Sequence, residues 1–97
     1  MTWHVYIVRC ADDTLYTGIA IDVQRRVAEH NGAGRAGARY TRARRPVVLV
    51  YQEAVVDRSA AGKREYAIKQ LPRHEKLALL TRRQRRKRSP VRRTAVA

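Results

Sequence analysis

Five side chains stand out by type and spacing: Tyr6, Tyr16, Arg26, His30 and Glu65. Tyr16 lies ten residues after Tyr6, and Arg26 ten residues after Tyr16. Arg26 and His30 form an i,i+4 pair in a run that reads as a helix. At about 100° per residue they share an arc about 100° wide with Val23 and Val27, while Arg25 and Glu29 fall on the other side. A guanidinium on that arc is costly to desolvate without a partner or a cleft. Two accounts fit Arg26: its stem lies over the sheet edge with the head in water, or its head lines a cleft. His30 likewise reads as a structural or a catalytic histidine. Tyr6 shares a strand face with His4 and Val8, and Tyr16 shares one with Gly18. A hairpin register that sets even positions opposite even positions brings the two phenols together, and a slip of one residue separates them. Packing in the core or at an edge is the plainer account of both. Gly18 inside a strand indicates a close backbone approach or a bulge. Glu65 lies at the rim of the apolar arc of a later helix, set by Ala61 and Ile68. Arg64 lies nearer the centre of that arc, so helical geometry alone does not single out Glu65 over a solvated carboxylate.

These residues need elements to hold them. Trp3–Arg9 is β-branched and aromatic and predicts a strand, and Leu15–Ile19 predicts its hairpin partner across a polar turn at residues 11–14. Asp22 is placed to cap a helix from Val23 to about Asn31, stopped by Gly32. Residues 32–45 hold three glycines and five arginines and read as a mobile basic loop. Pro46 opens a third strand, Val47–Ala54, whose near-continuous apolar run predicts burial on both faces. Asp57 or Ser59 is placed to cap a second helix ending near Leu71. Arg73–Thr81 predicts a third helix with Leu77 and Leu80 as its apolar positions. The expected order is ββαβαα: an α+β fold with a small three-stranded antiparallel sheet flanked by helices.

Composition bounds the partner. The 97 residues carry 22 Lys and Arg against 8 Asp and Glu, a formal net charge of +14. That excess points to a polyanion, with nucleic acid ahead of a membrane surface. Residues 82–97 hold eight basic and no acidic side chains, leaving a net of +6 for residues 1–81. We read 1–81 as one folded domain and 82–97 as a basic disordered tail. The tail is either a solvated polycation of no specific role or an electrostatic arm for nucleic acid. The longest apolar runs are about five residues, as in Val47–Tyr51, too short to span a bilayer. No secretory leader is visible. Cys10 is the only cysteine, so an internal disulfide is excluded, and no Cys/His cluster has zinc spacing. The expected setting is the cytoplasm of a prokaryote, with a monomer as the default state.

The segments His4-Val5-Tyr6 and Tyr16-Thr17-Gly18 resemble the paired motifs of the GIY-YIG nuclease superfamily. The resemblance continues through Arg26, through Glu29-His30-Asn31, through Tyr40-Thr41 and Arg45-Pro46, and into the pattern Ala61, Glu65 and Lys69. It covers roughly residues 2–81 and is greatest toward the small stand-alone bacterial members. The first motif lacks the family's glycine and isoleucine, and the second has Thr17 at its centre.

The resemblance implies a Mg²⁺-dependent (or Mn²⁺-dependent) phosphodiesterase, with Glu65 as the single metal-binding carboxylate. One carboxylate plus waters suits Mg²⁺, which dehydrates reluctantly. Tyr6 matches the family's proposed general base and Tyr16 the tyrosine that assists it. A phenol of pKa near 10 is a poor base at neutral pH, so Arg26 and the metal would have to favour its phenolate. Arg26 matches the arginine that stabilises the transition state, and His30 is an alternative base or a phosphate ligand. Gly18, Tyr40, Arg42 and Lys69 are the implied nucleic-acid contacts. The expected function is endonucleolytic cleavage of DNA, with RNA left open, on structured or damaged substrates. Sequence-specific cutting is not expected, because no separate recognition domain is seen and a basic loop and tail favour phosphates over base edges. The alternative is a basic nucleic-acid-binding module that keeps the fold without cutting. A basic assembly protein bound to ribosomal RNA would explain the charge but not the Tyr6, Tyr16, Arg26, Glu65 series.

Overall fold

The computed structural model describes residues 2–34 and 37–80. Strands β1 (Trp3–Arg9) and β2 (Leu15–Ala20) form the hairpin and are followed by helix α1 (Val23–His30). A short helix α2 (Arg39–Arg42), strand β3 (Val48–Val55) and helix α3 (Arg58–Gln70) complete the printed order. A last helix, α4, runs over residues 73–80. The expected α+β architecture is present, with one short helix added. The basic tail lies outside the described residues.

The sheet is antiparallel with β1 in the middle, in the order β2-β1-β3. Tyr6 pairs with Gly18 and Val8 with Tyr16, so even positions do face even positions and both phenols stand on one face. On that face Tyr6, Val8, Cys10, Val23 and Val47 form one core, with Tyr16 and Val27 packed against it. The other face carries Val5 and Ile7 and is covered by Ala61 and Ile68 of α3 and by Leu79 and Leu80 of α4. β1 is therefore the strand buried on both faces, with Val5, Tyr6, Ile7 and Val8 all at most 1% exposed.

Three expectations need correction. β3 is an edge strand, not one buried on both faces, and Val48 is 55% exposed. Its apolar side chains are divided between the two faces, Tyr51 and Val55 on the α3 side and Leu49 on the Tyr6 side, with a register shift opposite Ile7/Val8. The loop at 32–45 is not wholly irregular, because α2 forms inside it around the buried Thr41. In α4 the core positions are Leu79 and Leu80, whereas Leu77 is 38% exposed.

The helix ends are held as side-chain chemistry dictates. The Asp22 carboxylate accepts from Arg25 N at 3.0 Å, and Asp57, not Ser59, caps α3 by accepting from Ala60 N at 2.8 Å. At the far end of α1, the Asn31 amide pairs with the backbone of Val47 like a strand neighbour, through Nδ2 to O at 2.9 Å and N to Oδ1 at 2.6 Å. Arg45 adds a charged bond to the His30 carbonyl at 2.6 Å. A cation at a helix C-terminus is the favourable pole for that charge.

Candidate active site

Tyr6 projects from the central strand, and its phenol lies across Gly18 on β2. A Cβ at Gly18 would stand 2.5 Å from the Tyr6 hydroxyl and 2.7 Å from Cζ. Any side chain there would displace the phenol. The close approach expected at Gly18 is thus made by a tyrosine ring, and the residue is buried. Because β2 is a sheet edge, the missing Cβ lets the Tyr6 ring lie over that strand toward the edge.

The Tyr6 hydroxyl meets His30 Nε2 at 2.7 Å. His30 ends α1, one turn beyond Arg26, and is wholly buried. Its Nδ1 lies 2.8 Å from the Thr41 hydroxyl oxygen, and that hydroxyl donates to the Ala38 carbonyl at 3.0 Å. Thr41 has a single proton to give. With it committed to Ala38, Nδ1 must carry hydrogen and donate to Thr41, leaving the Nε2 lone pair to accept from Tyr6. The Ala38 N–H also points at Nδ1, at 3.3 Å, a contact that would use the Nδ1 lone pair; it is the longest of the group, and the tautomer is assigned on the shorter Thr41 contact. His30 is 0% exposed, and its two ring nitrogens face Tyr6 and Thr41.

The electrostatics fit this arrangement. Burial pushes the Tyr6 phenol up to about 12; Tyr16 and Glu65 act in the same direction, while the charge and hydrogen bond of Arg26 oppose them. Burial, followed by the Arg26 charge, pulls His30 down to about 4. At neutral pH the phenol holds its proton and the imidazole is a neutral acceptor. Arg26 does favour the phenolate, as expected, but desolvation outweighs it.

Arg26 is half-buried, and its Nη1 lies 3.0 Å from Glu29 Oε1. Arg25, on the outer side, is 77% exposed and reaches the same carboxylate at 3.4 Å. Glu29 is thus shared between the two, although helical spacing had set it away from Arg26. The difference between the arginines follows the helical arc closely.

Tyr16 packs edge-on against His30, with ring centroids 5.3 Å apart, and stacks on Tyr40 at 5.6 Å. Arg44 covers Tyr40 at 4.0 Å from its centroid and is itself held by Asp12 at 3.1 Å. With Tyr16 stacked on its ring and Arg44 lying over it, Tyr40 buttresses Tyr16 more than it offers a face to a base. Arg42 is exposed on α2. Lys69 Nζ sits 5.9 Å from the Tyr16 ring and 3.2 Å from Glu65 Oε2. Glu65 is thereby tied to the tyrosine side, and its charge is felt at Tyr6. Arg64, which the helical wheel could not separate from it, turns to β3 and binds both oxygens of Glu53 at 3.1 Å.

Among the described residues no three His, Cys, Asp or Glu side chains cluster as a metal cage. The donor set at the tyrosines is one partly exposed carboxylate, Glu65. That fits an ion such as Mg²⁺ that keeps most of its water, and not zinc, which requires several protein ligands.

Two supporting residues escaped sequence reasoning. Thr41 was noted in the loop without a role, and Arg45 only as the residue before a strand. A buried histidine needs partners for both ring nitrogens, and that requirement was the available pointer to a hydroxyl such as Thr41.

A family model described as the GIY-YIG catalytic domain matches residues 2–78. A UPF0213 protein of Desulfotalea psychrophila is 62% identical over 80% of this chain and 70% of its own length. One from Halobacterium salinarum is 55% identical over 78% of this chain and 96% of its own. Among solved structures, a UPF0213 protein of Bacillus halodurans is similar at TM-score 0.53 and 41% identity, covering 84% of each chain. A protein of E. faecalis matches at TM-score 0.58 and 34% identity over 87% of this chain and 88% of that one. The chain is similar to small UPF0213 proteins and belongs to the GIY-YIG family.

Proposed function

We propose that this protein is a divalent-metal-dependent endonuclease that hydrolyses phosphodiester bonds in structured or damaged DNA, in the cytoplasm. The observation that carries this reading is the Tyr6–His30 bond of 2.7 Å, with its direction set by Thr41. Water attacking phosphorus must lose a proton. In this geometry Tyr6 accepts that proton at its hydroxyl oxygen while passing its own to His30 Nε2, so the relay ends on an imidazolium whose Nδ1–H donates to the Thr41 hydroxyl oxygen. The high value of Tyr6 and the low value of His30 mean that neither charged form accumulates at rest. The transfer belongs to the attack itself. Arg26 stands beside the phenol, placed to stabilise negative charge on the phosphoryl oxygens. Glu65, released from Lys69, would hold the Mg²⁺ or Mn²⁺, which polarises a phosphoryl oxygen when bound. Lys69, once released, joins Arg42 in facing the phosphate backbone. The step consumes one water and one phosphodiester and yields a phosphomonoester and an alcohol.

The test is nicking of supercoiled and branched DNA with Mg²⁺ by wild type, Glu65→Gln and Arg26→Ala. Wild type cleaves, and each variant falls by about 10²-fold or more. Cleavage that survives both substitutions, or binding by wild type without cleavage, overturns the catalytic reading. The second outcome leaves a nucleic-acid-binding module.

A further inference from the structure

Along α3, where it meets β2, lies a groove of about 710 Å³, a volume in the range of ligand sites. Ile19 of β2 and Arg58, Gly62, Lys63 and Tyr66 of α3 line it, and Glu65 is part of the same wall. The groove therefore adjoins the proposed metal carboxylate while most of its residues have no part in the chemistry above. Tyr66 is 68% exposed there. An aromatic ring left in water on a helix has a free face to offer. Gly62 stands one turn before Tyr66 on the same side. Glycine inside a helix weakens it relative to alanine, and a Cβ here would meet nothing within 4 Å. The fold's packing does not require a glycine at this point, whereas a ligand backbone running close to the helix would.

The charge of the groove selects the ligand. Arg58 and Lys63 are cationic, and Glu65, the acid in the wall, is paired with Lys69. Arg58 lies 5.7 Å from the Trp3 ring, which fixes it at the sheet end of the groove. Cations beside one open aromatic face, with a bare helix backbone between them, suit a strand of nucleic acid with unstacked bases. A duplex hides its base faces and would leave Tyr66 unused.

We propose that this groove holds the unpaired strand adjoining the scissile phosphate, with one base stacked on Tyr66 and its phosphates between Arg58 and Lys63. The assignment rests on the endonuclease reading and adds to it a requirement for single-stranded character beside the cut.

The experiment measures equilibrium binding of a fluorescein-labelled single-stranded oligonucleotide and of a duplex of equal length, in EDTA so that no turnover occurs. Full-length wild type, Tyr66→Ala, Tyr66→Phe and Lys63→Ala are compared, with circular dichroism to confirm folding. Tyr66→Ala is expected to weaken single-strand binding by about 5- to 100-fold and duplex binding by about twofold at most, with Tyr66→Phe close to wild type. Lys63→Ala should lower the salt slope for the single strand. Equal losses on both ligands, or no loss on either, overturn the groove assignment. Because binding is read without metal, a failure here is separate from a failure of the nicking assay.

Discussion

The proton between Tyr6 and His30 is governed by burial as much as by partners. His30 would titrate near 6.5 in an unfolded chain and is pulled down to about 4 in the fold. Between those values the unfolded chain binds more protons than the native one. Stability from this group is therefore complete above about pH 6.5 and is lost as pH falls toward 4. The loss amounts to about 3 kcal/mol at most. Urea unfolding followed from pH 7.5 to 4 should show this slope in wild type and a shallower one in His30→Gln. Equal slopes would mean that His30 is not the buried neutral base described here. Gly18 belongs to the same scale. Gly18→Ala sets a methyl where the Tyr6 phenol lies, so a loss of about 1–3 kcal/mol in unfolding free energy is expected. No change in stability would show that the ring has room to move aside.

At the scale of elements, α1 has only eight residues yet carries both Arg26 and His30. It is too short to persist by helix propensity alone and depends on its ends. Asn31→Ala removes both amide bonds to the Val47 backbone and should cost about 1–2 kcal/mol, read by thermal unfolding. An unchanged midpoint would mean that water replaces the amide without penalty. Much of this element was legible in the sequence, because an i,i+4 pair beside two valines has one buried arc and Asp22 has few roles other than a cap. The hairpin register was legible only as a condition, since alternation fixes which residues share a face and not which strand lies opposite. The edge position of β3 was not legible: an apolar run reports burial but not strand order. Thr41 was hidden for a similar reason. Its value comes from a tertiary contact to a histidine 11 residues away, and local spacing carries no trace of such contacts.

Over the whole molecule, the +14 divides into parts with different uses. Residues 82–97, with eight cations, lie outside the described residues and are given no role in the chemistry proposed for Tyr6, Arg26 and Glu65. If they serve as an arm, each phosphate they neutralise adds about 0.9 to the slope of log affinity against log salt on duplex DNA. Deleting residues 82–97 should then flatten that slope, measured by binding across about 50–200 mM salt. An unchanged slope removes the arm. Charge pointed to a polyanionic partner, whereas the reaction proposed above rests on the family resemblance that the ordered tyrosines, arginine and glutamate carry. Both ends of the proposed relay are buried, Tyr6 at 1% and His30 at 0% exposed.

The direction of the Tyr6–His30 hydrogen bond is the central claim, and ¹⁵N NMR of the imidazole at pH 7 tests it without knowledge of the substrate. The account predicts a neutral His30 with hydrogen on Nδ1 and an unprotonated Nε2 accepting from Tyr6. In Thr41→Val that tautomeric preference should weaken or reverse. A wild-type spectrum with hydrogen on Nε2, or an imidazolium at pH 7, would contradict the proposed relay.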